Sequence, residues 1–249
     1  MAETKNRKKG LSRDAIKYLA ILAMLLNHIA QLFLAEDTLG SLVLTDIGYI
    51  TIVIMCYFLA EGYRYTGSVK KYGERLLIFA VLSEFPYRYA FEKGTEIQTG
   101  SCNVIFTILI CFCIVHVLTA VMDGQTKAIL VFLLFCVSGF GDWGFLAPLF
   151  TILFVWAQEN AEKQKLVFFV DALLLGADCF VSGASGGKWM TGLLNAAGGM
   201  TSVLLAGFLI LCCYRKERTG HRRKWEKWFF YWFYPVHLMI LGLLKTVMP

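Results

Sequence analysis

The chain has 249 residues, of which 57% are hydrophobic and only 17% charged, with a net charge of +6. An average soluble domain carries roughly 25% charged residues. So apolar a composition excludes a disordered chain and argues against a water-soluble domain. The basic residues fall in short clusters between apolar runs, not in the basic face that a nucleic-acid binder presents, so no nucleic-acid partner is expected.

A membrane-spanning helix needs about 20 mostly apolar residues. Nine runs qualify in chain order: 15–34, 47–63, 72–91, 103–122, 127–140, 143–157, 166–182, 189–214 and 228–247. Runs five and six are separated only by Gly141 and Asp142, which leaves a tight hairpin or a re-entrant element, and so eight spans, as the alternative. Alternating topology places 20 of the 24 Lys and Arg residues on the side that holds the N-terminus. Basic residues accumulate on the cytoplasmic side. The expectation is therefore an all-α polytopic bundle of nine spans, N-terminus cytoplasmic, forming one domain over 1–249 with a short basic tail at 1–13. The expected setting is a cytoplasmic membrane. The eight cysteines lie mostly in apolar stretches and show no metal-ligand spacing, so they read as small core side chains and no metal is expected.

Ionisable side chains at membrane depth are costly and usually face a bundle interior or a water-filled cavity. On the first span Asp14, Lys17 and His28 fall within about 60° of one another at 100° per residue, a polar stripe on an apolar helix. Glu61 and Arg64 are spaced to pair at the end of the second span, and Glu84 and Arg88 flank Pro86 on the third. Asp171 and Asp178 share a face of the seventh, where they suit pairing with Arg88 or Lys188 or a proton path. Tyr234 and His237 share a face of the ninth, after an aromatic belt, and His116 reads as structural.

The ordered set of motifs resembles the TraX family. It comprises Asp14-Ala15-Ile16-Lys17 leading to Leu26-Asn27-His28-Ile29, then Glu61-Gly62-Tyr63-Arg64-Tyr65-Thr66, then Tyr72 with Arg75-Leu76-Leu77. It continues through Ser83 to Pro86, Asn103-Val104-Ile105-Phe106-Thr107 and Asp142-Trp143-Gly144, and ends in Phe233-Tyr234-Pro235 with His237-Leu238. One departure is Asn27, where family members often carry Asp before the histidine. The resemblance implies an integral membrane acetyltransferase, distantly similar to the acyltransferase-3 group. Such an enzyme moves an acetyl group from acetyl-CoA to an amine, such as a pilin N-terminus, or to a hydroxyl on a lipid or envelope glycan. On that implication His28 is the expected general base, with His237 or Tyr234 assisting and Asn103 as an oxyanion or acceptor contact. Lys17, Arg64, Lys70, Lys71 and Arg75 are expected to meet the coenzyme phosphates, with Arg222, Arg223 and Lys224 as weaker candidates. Asp14, Glu61, Glu84, Arg88 and Asp142 are expected to orient the site. The rival readings are a proton-coupled transporter built on Glu84, Asp171, Asp178 and His237, and a non-enzymatic assembly subunit.

Overall fold

In the computed structural model, the described residues are 10–35, 38–91, 102–158, 160–216 and 224–247. They form nine α-helices and no named strand. These are α1 (Arg13–Phe33), α2 (Leu39–Arg64), α3 (Val69–Phe91), α4 (Val104–Thr119), α5 (Gly124–Ser138), α6 (Leu146–Ala157), α7 (Ala161–Gly183), α8 (Trp189–Phe208) and α9 (Lys224–Val247). The nine expected runs correspond one to one with these helices.

Polar residues set many of the starts. Ser12, Thr38, Asn103, Asp123 and Asn160 each accept a hydrogen bond from a backbone N–H two or three residues into the following helix. At Asp123 the bonds from Thr126 hold the carboxyl below the usual carboxylate range. Thr38 explains why α2 begins well before residue 47: its cap starts a 26-residue helix, about 39 Å long.

Among the described residues, five helical segments are long and apolar enough to cross a membrane: Arg13–Phe33, Leu39–Arg64, Ala161–Gly183, Trp189–Cys213 and Trp228–Val247. The last part of the fourth, Leu209–Cys213, is a π-helical turn that extends α8. The helix α3 is long enough but carries Lys70, Lys71, Glu74, Arg75, Glu84 and Arg88. The helices α4, α5 and α6 are shorter, and the 12 residues of α6 rise only about 18 Å. Many large apolar side chains on the outer faces of these helices are exposed, for example Ile129, Phe132, Leu133 and Val137 on α5. A surface of this kind is solvated by lipid tails, and the chain is a membrane protein.

Burial ranks the helices. The run from Ile50 to Ala60 on α2 is buried almost without interruption, which marks a central helix, and α2 packs on α1, α4, α6 and α8. By contrast Ser138 is the only buried residue of α5, which sits at the periphery against α4. The other main pairs are α7 with α8 and α3 with α9, while α9 also touches α1. Polar bonds between helices pin the register: Thr51 Oγ1 donates to Ala20 O at 2.7 Å, and Ser202 Oγ to Asp46 O at 2.6 Å.

The helix ends are tied as well. Leu11 N donates to Cys213 O (2.7 Å) and Arg215 N to Leu11 O (2.9 Å), joining the start of α1 to the end of α8. Cys102 N donates to Phe140 O (2.6 Å) and Asp142 N to Cys102 O (2.8 Å), fastening the short α5–α6 turn to the start of α4.

Candidate functional site

A cavity of about 910 Å³ runs through the bundle between α1, α2, α3, α4, α7, α9 and the α5–α6 turn. Its two ends differ in charge. Arg13, Lys17 and Arg75 line one end; Asp142 and Asp178 line the other, among Tyr49, Tyr87 and Trp143. Asp14 and Glu226 also reach the basic end. His28 lies on the cavity wall about 20 Å along α1 from Asp14, towards the acidic end.

The decisive contact joins α1 to α9. His28 Nδ1 lies 2.8 Å from His237 Nε2, the two rings being nearly parallel at 4°. On its other side His237 Nδ1 lies 2.7 Å from Phe233 O. A carbonyl oxygen only accepts, so Nδ1 of His237 carries the hydrogen and its Nε2 is the acceptor. His28 must then donate from Nδ1, which leaves the lone pair of His28 Nε2 free. The chain of bonds thus selects one tautomer of His28, as an orienting partner does for a catalytic histidine. His237 itself is absent from the cavity wall and is buried behind His28.

The family resemblance implied an assisting role for His237; the structure makes it the hydrogen-bond partner of His28. It also answers the question raised by Asn27. That side chain turns to α2, where Nδ2 donates to Thr45 O at 3.1 Å, and it accepts from Gln31 Nε2 at 2.6 Å. The helices approach closely enough there that a side chain on Gly48 would run into Asn27. No carboxylate from residue 27 is needed to orient His28, because His237 does so.

Tyr234 is 4% exposed and lies on the cavity wall, its ring 6.3 Å from that of His28. Its hydroxyl has no hydrogen-bond partner of full geometry among the described residues, although the Val104 amide and the Asp142 and Tyr87 side chains lie near it. Tyr87 Oη donates to Asp142 Oδ1 at 3.4 Å, so this wall is a continuous polar strip.

Other expected residues fall elsewhere. Asn103 is fully buried and does not reach the cavity. Its Oδ1 caps α4 by accepting from Ile105 N (3.0 Å) and Phe106 N (3.3 Å), and its two Nδ2 hydrogens serve Ala80 O (2.8 Å) and Glu84 Oε2 (2.7 Å). With every donor engaged, it has none left for an oxyanion, and the expected substrate contact is corrected to a helix cap. Glu84 pairs with Arg88 at 2.8 Å, as the spacing predicts, and its second oxygen holds Asn103. Asn103→Ala is expected to cost about 1–2 kcal/mol of stability through the lost cap and the buried bonds. Thermal unfolding in detergent measures this as a lowered midpoint.

Among the expected coenzyme contacts, Lys17 and Arg75 line the cavity, whereas Arg64, Lys70 and Lys71 do not. Lys70 and Lys71 are exposed, and Arg64 lies over the ring of Tyr65. Arg222 and Arg223 lie outside the described residues, as does the side chain of Lys224. Glu61 takes Arg13 (3.6 Å) and the Tyr214 hydroxyl as partners. Arg13 is a cavity-lining residue that the sequence marks only as part of a basic cluster. Asp171 is wholly buried, off the cavity, and neither of its oxygens has a hydrogen-bond partner among the described residues. His116 bonds to the Tyr63 hydroxyl at 2.6 Å, a contact between α4 and α2 in keeping with a structural role.

The fold and this site define a helical membrane protein with a buried, tautomer-fixed histidine on a long cavity of opposite end charges. The chain belongs to the TraX family: the family described as TraX protein matches residues 12–245. A curated relative, the probable fimbrial assembly protein FimC of serogroup H1 from Dichelobacter nodosus, is 28% identical over 248 residues, covering 95% of this chain and 96% of that protein. No solved structure matches the chain.

Proposed function

We propose that the protein is a membrane acetyltransferase that moves an acetyl group from acetyl-CoA to an amine. The observation that carries this reading is His28 on the cavity wall, its Nδ1 engaged by His237 and its Nε2 lone pair without a bond among the described residues. Nine spans with a cytoplasmic N-terminus put the basic end of the cavity at the cytoplasmic mouth, where acetyl-CoA is found. Arg13, Lys17 and Arg75 there supply charges complementary to coenzyme phosphates. The acidic, aromatic end suits an ammonium group, which favours an amine over a hydroxyl acceptor. The similarity to a fimbrial assembly protein supports a peptide of the pilin kind as the carrier of that amine.

The chemistry assigns one task to each residue. His28 Nε2 takes the proton as the amine nitrogen attacks the thioester carbonyl carbon. The Tyr234 hydroxyl donates to the oxygen that gains negative charge in the tetrahedral intermediate. As the C–S bond breaks, the proton held on His28 passes to the departing sulfur, giving free coenzyme A and an acetylated amine. His237 keeps the ring of His28 in place and disperses the transient positive charge.

The transporter alternative needs Glu84, Asp171, Asp178 and His237 in series. Their partners differ: Glu84 serves Arg88 and Asn103, His237 serves His28, Asp171 is off the cavity and Asp178 is on it.

Mass spectrometry of the host envelope should find acetylated peptide termini that disappear when the gene is deleted; an unchanged set of acetylated species would refute the assignment. His237→Phe should lower turnover about 10- to 100-fold, the usual cost of removing an orienting partner. His237→Gln keeps an amide oxygen able to accept from His28 Nδ1, so it should recover part of that loss in a single-turnover assay.

A further inference from the structure

The basic end of the cavity contains an arrangement that the acetyl-transfer steps do not use. Arg13 Nη2 donates to Phe58 O at 2.7 Å, with the guanidinium 5.1 Å from the centre of the Phe58 ring. Its Nε faces Glu61 Oε2 at 3.6 Å. The Tyr214 hydroxyl in turn lies 3.2 Å and 3.1 Å from the two oxygens of Glu61. Glu61 thereby has a partner on each side, and Arg13 lies beside Gly62, its Nε in ion-pair but not hydrogen-bond range of Glu61. A Cβ at position 62 would sit 2.7 Å from Arg13 Nη2, so this close approach needs glycine.

The backbone fixes the same arrangement independently. The π-helical turn Leu209–Cys213 ends α8, and a π turn carries an extra residue that redirects the chain beyond it. Tyr214 then continues as extended chain, and the segment from Cys213 to Arg215 pairs with Leu11 through two backbone hydrogen bonds. One crossing therefore positions both the residue that holds Glu61 and the start of the helix that carries Arg13.

We infer that Tyr214 and Glu61 are positioning residues that pre-set Arg13 as the anion contact at the mouth of the cavity, for the phosphate groups of the incoming coenzyme. This role rests on the assignment of acetyl-CoA to the basic end of the cavity. A guanidinium held in one pose loses little freedom on binding a phosphate, so its fixing adds affinity without touching the transfer step. Without its hydroxyl, residue 214 releases the Glu61 carboxylate, and Arg13, still bonded to Phe58 O, loses the restraint on its Nε edge.

The test is calorimetric titration of the full-length protein in detergent micelles with coenzyme A. Tyr214→Phe should weaken binding about fivefold, the weight of one hydrogen bond, and leave kcat at saturating acetyl-CoA unchanged. Gly62→Ala, which displaces the Arg13 guanidinium by another route, should also weaken binding. Arg13→Ala should weaken it further, and adding Tyr214→Phe to Arg13→Ala should change nothing more, since the tyrosine acts through the arginine. Equal affinity in wild type and Tyr214→Phe, or a full additional loss in the double variant, overturns the positioning role while leaving the acetyltransferase reading intact. A folded wild-type protein that binds no coenzyme A overturns both.

Discussion

His28→Ala is expected to lower acetyl transfer about 10³-fold, within the range typical of removing a general base. The effect should fall on turnover, because the lost group acts on the proton of the acceptor and not on the phosphates some 20 Å away along α1. Insertion and yield should be retained. Among the described residues the imidazole makes one polar bond, to His237, and it packs on the ring of Phe91 at the cavity wall. His28→Gln should remain inactive, since an amide has no basic nitrogen to take the proton. Rates from the purified variants, normalised to folded protein, decide the matter: wild-type turnover in His28→Ala would remove this residue from the chemistry.

Tyr234→Phe is expected to cost about 10² in turnover, the loss seen when a single oxyanion donor is removed. The same change should leave stability equal to wild type or slightly above it. A buried hydroxyl without a hydrogen-bond partner of full geometry costs free energy in the resting protein, and phenylalanine removes that cost while keeping the ring that packs in the core with Ala90 and Leu238. The opposite signs separate a catalytic from a structural hydroxyl. A structural tyrosine would give a lower unfolding midpoint and little change in kcat. Thermal unfolding and initial rates on one preparation provide both readings.

The apolar runs were legible in the sequence, because lipid imposes a strong local rule. Each run became a helix, although the caps Thr38, Asp123 and Asn160 start three of them ahead of the apolar run. The short α6 was less legible: the run 143–157 is apolar throughout, but residues 139–145 are spent on the turn fastened to Cys102. A pair within one helix, Glu84 with Arg88, was legible from spacing, but pairs between helices were not. His28 and His237 stood out as ionisable groups on apolar helices, yet their contact spans 209 residues and depends on α9 packing against α1. Arg13 lay in a basic cluster that orientation already explained, and its partners Phe58 and Glu61 lie on another helix. For Asn103 a local signal was present, an asparagine directly before a long apolar run, which is the mark of a cap.

Whether one cavity joins acetyl-CoA and an amine at His28 is decided by proteoliposomes holding the purified protein, acetyl-CoA labelled in the acetyl group, and a peptide with a free N-terminus. Label should appear on the peptide amine, be lost with His28→Ala and be absent from a peptide whose terminus is already blocked. Folded wild-type protein that leaves the peptide unlabelled, or equal labelling by His28→Ala, would contradict acetyl transfer at this histidine.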